Sequence, residues 1–461
     1  MRREVKAWIE TTPESPWEDK SQEAVGSALV SESAKAASLE IEDRYDQSID
    51  GFGGCFNELG MAALRKLPEP RRKQALAALF GPDEGCGFSL CRLPIGASDY
   101  SEGWYSYDEH PGDFGMDHFT IERDRESLIP FVKAAQALCP GLRFFASPWS
   151  PPTWMKSPAV YNFGRLMMER EVLDAYALYL LRYLRAYREE GIDVERLHIQ
   201  NEPFADQKFP SCLWSAEQFI VFIRDSLGPL FEREKEEAGI WLGTLNGPEL
   251  MSIMPDGSMR LSSYDDFVDK ILLDEEVRRR IAGIGFQWAG RGNVQRTHQA
   301  WPEIPIMQTE NECGDGRNSW EYAFYVFNLM QRYFINGASS YAYWNMILEP
   351  EGKSSWGWRQ NSMITVDPEA GDFRLNPEYY VMKHFSRFVA FGARRKEARG
   401  RWCGSSIAFE NPDGALVVIA ANLQPMARPM AVVEGGERCC IVSLAPRSIN
   451  TLVVVQAGDS E

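Results

Sequence analysis

The stretch Leu197-His198-Ile199-Gln200-Asn201-Glu202-Pro203 decides the fold. Its apolar lead-in, Val194 to Ile199, reads as a buried strand, and the run stops at Asn201, Glu202 and Pro203. Proline cannot donate to a sheet ladder, so pairing ends there. A carboxylate is thereby delivered at the C-terminal end of a strand, beside an amide side chain suited to binding a ligand. The pattern recurs in Ile304-Pro305-Ile306-Met307-Gln308-Thr309-Glu310, which is apolar until it ends in Glu310 and is followed by Asn311. A single glutamate of this kind marks only where a strand reaches solvent. Two of them supply an acid/base and a nucleophile or second base, the pair of carboxylates that glycosidic-bond hydrolysis needs.

Working outward, strand-like and helix-like segments alternate on both sides of these two. The first strand lies near residue 50, in Ile49-Asp50-Gly51-Phe52-Gly53-Gly54-Cys55. Further strands are expected at Phe88–Ile95, Leu142–Ser147, Val194–Gln200, Ile240–Leu245, Ile284–Trp288, Ile304–Thr309 and Ser339–Trp344. Helical periodicity fills the gaps, as in Ile121–Leu138, Glu169–Glu190, Ala216–Glu237, Tyr264–Ile281 and Trp320–Ile335. Eight such units predict an α/β protein with a (β/α)8 TIM barrel over residues 46–392. A doubly wound open sheet is the alternative, but no convincing Gly-rich dinucleotide turn follows the first strand. From residue 393 the pattern becomes short β-rich runs separated by turns such as Asn411-Pro412-Asp413-Gly414. Residues 393–461 are therefore expected to form a small β-sandwich domain. Residues 1–45 hold strand candidates at Val5–Thr12 and Leu39–Tyr45, with a polar loop over 13–36 between them. A closed barrel has no edge for a ninth strand, so these two are expected to join the C-terminal domain.

The chain has 461 residues and a formal net charge of −17, which disfavours nucleic acid and anionic membrane surfaces as partners and suits a neutral substrate. Its nine cysteines are irregularly spaced, and Cys439-Cys440 are adjacent, which fits free thiols in a reducing compartment. The N-terminus has no apolar core of a secretory signal, and no uninterrupted apolar run is long enough to cross a bilayer. A cytoplasmic location without membrane insertion follows as the expectation. The five histidines are scattered and no HExxH or CxxC pair occurs, so no metal or other cofactor is expected.

The strand ends carry the remaining chemistry. Arg92 and Asp99 flank the end of the second strand, and both suit sugar hydroxyls, although a structural salt bridge suits either equally well. The third strand ends in Ser147-Pro148-Trp149-Ser150-Pro151-Pro152-Thr153-Trp154-Met155-Lys156, a proline-pinned turn holding two tryptophans. The eighth ends in Tyr343-Trp344-Asn345. Glu312 rivals Glu310, since residues two apart on a strand face the same side. Glu310 is preferred because the apolar run ends at it.

Together with Asp50-Gly51-Phe52-Gly53-Gly54 and Arg92-Leu93-Pro94, these motifs resemble glycoside hydrolase family 30, the glucosylceramidase-like group, from about residue 45 to the end. The resemblance implies a retaining β-glycosidase acting on β-linked glucosides by double displacement. It assigns Glu202 as general acid/base and Glu310 as nucleophile. Arg92, Asp99, Trp149, Asn201 and Trp344 match sugar-binding positions, with Asn201 on the 2-hydroxyl. Glu202 is expected to have a raised pKa and Glu310 a lowered one. An endo-β-1,6-glucanase, a β-xylosidase or a β-fucosidase shares the family, and an inactive carbohydrate-binding protein is the reading from another class. One departure stands out. Where the family often places a tyrosine against the nucleophile, Phe286-Gln287-Trp288-Ala289 has Ala289, leaving Gln287 or Trp288 to substitute.

Overall fold

Eight parallel strands close into a barrel in this computed structural model, which describes residues 3–24, 38–248, 251–253, 259–261 and 263–457. The strands are β1 (Gly51–Cys55), β2 (Leu90–Ile95), β3 (Arg143–Pro148), β4 (Val194–His198), β5 (Gly239–Leu245), β6 (Ile281–Gln287), β7 (Ile306–Glu310) and β8 (Ala338–Asn345). β8 pairs back onto β1, with Tyr341 opposite Phe52, so the sheet has no free edge. The closure is tight at β1. A Cβ on Gly53 would sit 1.9 Å from the Leu90 carbonyl oxygen, so only glycine lets β1 and β2 approach.

The helices cover the barrel by burying one face each. Arg170–Glu189, between β3 and β4, buries Tyr176, Tyr179, Leu180, Tyr183, Leu184 and Tyr187, a three-to-four-residue spacing that forms one stripe. Trp320–Ile335 begins where the Ser319 hydroxyl accepts from the Tyr322 amide at 3.2 Å, a side-chain cap for an otherwise orphaned donor.

The second domain is one nine-stranded sheet that curls around its own core of Trp8, Leu39, Ile41, Trp402, Val418, Val432 and Leu452. The two N-terminal strands join it as expected. Arg3–Thr11 pairs antiparallel with Ser448–Gln456, and Ser38–Ser48 lies between Arg394–Gly400 and Arg428–Glu434. Of the polar stretch 13–36, Glu18–Asp19 forms a short edge strand, and residues 25–36 lie outside the described residues.

One strand was not anticipated from the sequence, and one strand end needs correction. Arg394–Gly400 is a strand in the middle of this sheet, although its charges hid the alternation. Arg395 and Lys396 are buried there, held by Asp46 at 2.7 Å and by Glu434 at 2.9 Å. β4 also ends at His198 rather than Gln200. The Gln200 side chain turns to donate to the carbonyls of Trp149 at 2.8 Å and Asn201 at 2.7 Å, bracing the turn that follows.

Candidate active site

Of the seven residues singled out from the sequence, Arg92 sits inside β2, three residues before its end, and Asp99, Trp149, Asn201, Glu202, Glu310 and Trp344 lie at or just beyond the C-terminal ends of barrel strands. This is the end at which barrel enzymes build their sites. The turn after β4 is stitched to both neighbours. The Asn201 amide donates to Pro148 of β3 at 2.8 Å, and the Glu202 amide donates to Thr244 of β5 at 3.0 Å. Glu202 has φ +48°, the left-handed region that costs energy for any residue but glycine. The flanking strands hold it there, a strain of the kind that aims functional side chains.

Arg92 organises the floor. It is fully buried, and its guanidinium bonds Ser147 Oγ at 2.8 Å, Asn201 Oδ1 at 2.7 Å and, at very short range, the carboxylate of Glu310. The same guanidinium lies 4.4 Å from the ring centre of Trp149 and 5.5 Å from that of Trp344. The two indoles stand 5.3 Å apart and are almost wholly buried. A buried arginine with this many partners is held rigidly, which a flexible lysine in its place would not be.

Gln287, at the end of β6, completes the floor. Its amide nitrogen donates to Glu310 at 3.1 Å and to Asn201 Oδ1 at 3.1 Å. The contact left open by Ala289 is thus made by Gln287, two residues earlier, while Ala289 sits in a short turn over Trp288–Gly290. Gln287 was one of the two substitutes the sequence offered, whereas Thr244 was missed; its hydroxyl donates to Asn201 Oδ1 at 2.9 Å. Thr244 sits next to a strand end, the rule that found the two glutamates, but carries no charge to draw attention. Trp154 lies apart from this floor. Its indole donates to the Asp108 carbonyl at 3.1 Å and packs edge-on against Phe114. Glu312 follows the end of β7, and Asn311 and Tyr322 donate to its carbonyl.

The electrostatics separate the carboxyls. Burial pushes Glu202 up to about 8, and the negative charges of Glu310 and Asp99 push the same way, with Arg92 opposing. Asp99 is raised to about 8, first by burial and then by the charge of Glu310. Glu310 corrects the sequence expectation of a lowered value: burial carries it above the ordinary carboxyl range, while Arg92 and Gln287 pull against that rise. Among the three, Glu310 alone has a direct ion pair with Arg92, so it is the carboxyl that ionises first. The mouth therefore holds a charged carboxylate on its floor and a protonated carboxyl at its rim near neutral pH. That arrangement supports attack on an electrophilic carbon from one side and proton donation from the other. Among the described residues, no group of three or more His, Cys, Asp or Glu side chains is placed to hold a metal ion. No helix among them is long and apolar enough to cross a membrane.

Comparison with known proteins gives consistent matches over nearly the whole chain. The profile of the glycosyl hydrolase family 30 TIM-barrel domain matches residues 49–389, and that of the family's beta sandwich domain matches residues 405–452. The lysosomal acid glucosylceramidase of Mus musculus is 24% identical over 420 residues, covering 86% of this chain and 78% of its own. The endo-1,6-beta-D-glucanase of Neurospora crassa is 25% identical over 410 residues, covering 82% of this chain and 79% of its own. Among solved structures, SrfJ from Salmonella typhimurium superimposes with a TM-score of 0.85 at 27% identity, covering 99% of this chain and 100% of its own.

Proposed function

The chain belongs to glycosyl hydrolase family 30 and is an O-glycosyl hydrolase, and on that premise we propose that it cleaves β-linked glucosides with retention at the anomeric carbon. Glu310 attacks that carbon while Glu202 protonates the departing oxygen. The bond from carbon to the leaving oxygen breaks as the bond to Glu310 forms. Glu202, now ionised, takes a proton from water, which displaces Glu310 and releases the sugar. Arg92 and Gln287 hold Glu310 in place and favour its ionised form. Asn201, fixed by Arg92, Thr244 and Gln287 through its side-chain oxygen, keeps its amide hydrogens for the sugar 2-hydroxyl. Trp149, Trp344 and Asp99 complete the sugar pocket. Nine free cysteines suit the cytoplasmic location expected from the sequence.

The observation that carries this reading is the asymmetry of the two glutamates. Glu310 is salted to Arg92, whereas burial and like charge keep Glu202 protonated to about pH 8. The test is Glu202→Gln with an activated nitrophenyl β-glucoside. Release of the first nitrophenol should stay fast and appear as a burst, because that leaving group needs little protonation. Turnover should then stall and be restored by azide, which needs no deprotonation, giving a β-glucosyl azide. A Glu202→Gln enzyme that shows no burst and no rescue contradicts the assignment.

A further inference from the structure

Lys156 closes the proline-pinned turn after β3, and the chemistry above does not use it. It is 2% exposed, whereas lysine is almost never fully buried unless paired. No carboxylate pairs with it among the described residues. Its three N–H donors go to the Ser150 hydroxyl at 3.0 Å, the Tyr161 carbonyl at 2.9 Å and the Ser211 carbonyl at 2.7 Å. Taking an ammonium out of water is costly, and three neutral acceptors offset that cost only in part. An apolar side chain of the same length would fill the space without it, so packing alone does not account for this lysine.

The acceptors lie on two different loops. Ser150 follows Trp149 on the loop after β3, and Tyr161 lies further along it. Ser211 lies on the loop after β4, which carries Asn201 and Glu202. Around the ammonium the two loops are laced together. The Ser211 amide donates to the Tyr161 carbonyl at 3.1 Å, and the Leu213 amide donates to the Gly164 carbonyl at 2.9 Å. From there the path back to Glu202 is short. The Trp214 amide donates to the Pro203 carbonyl at 3.0 Å, and its indole donates to Gln200 Oε1 at 3.2 Å. Gln200 and Pro203 stand on either side of Asn201 and Glu202. The left-handed backbone of Glu202 is thus held from β3 and β5 by the amides of Asn201 and Glu202, and from the far end of its loop through Lys156. A strained conformation persists only where the surroundings over-determine it.

We propose that Lys156 is a positioning residue for Glu202: it locks the loop after β4 onto the loop after β3 and so keeps the carboxyl aimed at the leaving oxygen. The proposal rests on the retaining β-glucosidase reading above, in which Glu202 is the acid/base. Lys156 touches no reacting atom. It acts through Ser211 and Trp214 on the turn that presents Glu202.

The test compares the β-glucosides of 2,4-dinitrophenol, whose departure needs no proton, and of phenol, whose departure needs one. Lys156→Met keeps the length of the side chain and removes its donors. The ratio of kcat/KM for the phenyl to the dinitrophenyl glucoside should fall about tenfold, a part of the roughly 10²–10⁴-fold that acid–base catalysis contributes. Loss of folded enzyme lowers both rates alike and leaves the ratio unmoved. In a Glu202→Gln background, adding Lys156→Met should leave the ratio within about twofold, because the group being positioned is gone. Hydrogen exchange read by mass spectrometry needs no turnover. In Lys156→Met the amides of residues 202–214 should exchange about tenfold faster, while those of β7 stay as in wild type. Ser150→Ala removes one acceptor and leaves the lysine; it should move both readouts in the same direction, and it carries the test if Lys156→Met does not fold. An unchanged ratio, a further fall in the Glu202→Gln background, or unchanged exchange over residues 202–214 overturns the proposal. Failure of the wild type to cleave either glucoside contradicts the glucosidase reading instead, and hydrogen exchange still decides whether Lys156 holds the loop of Glu202.

Discussion

The two ends of the barrel hold the same kinds of side chain in opposite balance. At the C-terminal end Glu202, Glu310 and Asp99 share one cation, Arg92; burial raises all three carboxyls, and like charge adds to the rise of Glu202 and Asp99. At the N-terminal end Asp50 and Glu195 face two arginines. Arg143 lies 2.9 Å from Asp50 and 3.6 Å from Glu195, and Arg196 closes on Asp50 from the other side. Burial pushes Asp50 up there too, but the arginines more than offset it and its carboxyl is lowered. Matched charge holds a structure together. An excess of one sign, kept out of water, stores a proton and leaves carboxyls poised to exchange it.

The comparison fails first if the unbalanced end is only structural. Glu310→Gln should lower kcat/KM by at least about 10⁴-fold, since the bond-forming group is gone. It should show neither the burst nor the β-azide rescue of Glu202→Gln, and its thermal transition should remain cooperative.

The opposite change belongs at the other end. Asp50→Asn strands Arg196, which is otherwise held by Asp50 and by the Trp241 ring 4.9 Å away. Breaking this partly buried pair should lower Tm by roughly 2–6 °C while kcat/KM stays within about twofold. A large loss of activity without loss of stability would erase the distinction between the ends.

The smallest effect sharpens the electrostatics. Glu202 titrates at 4.5 when unfolded and at about 8 when folded. Between those values the native state keeps a proton that the unfolded chain has released, so stability falls as pH rises through the window. Glu202→Gln removes that cost. Its Tm should match wild type at pH 4 and exceed it by about 1–3 °C at pH 9, by scanning calorimetry. The alkaline limb of the pH–rate profile, near 8 in wild type, should vanish in the same variant.

What was legible in the sequence follows from distance along the chain. Glu202 and Glu310 were legible because an apolar run and its terminator, Pro203 for the first, are local signals. The contacts around them were not. Arg92 meets Glu310 across 218 residues, and only closure of the barrel sets that contact. Gln287 reaches Glu310 through a register shift between β6 and β7, which no pattern in either strand announces. The strand Arg394–Gly400 was hidden for another reason. Its inward charges find partners in Asp46 and Glu434, on strands distant in sequence, so burial left no apolar trace.

The central claim is that the carboxylate paired with Arg92 forms the bond to sugar. Incubation with 2-deoxy-2-fluoro-β-glucosyl fluoride should trap that bond, and tryptic digestion should leave it on the peptide of residues 297–317, which contains Glu303, Glu310 and Glu312. Tandem mass spectrometry should place the label on Glu310. A label on Glu312, or on Glu202 in another peptide, would contradict the account.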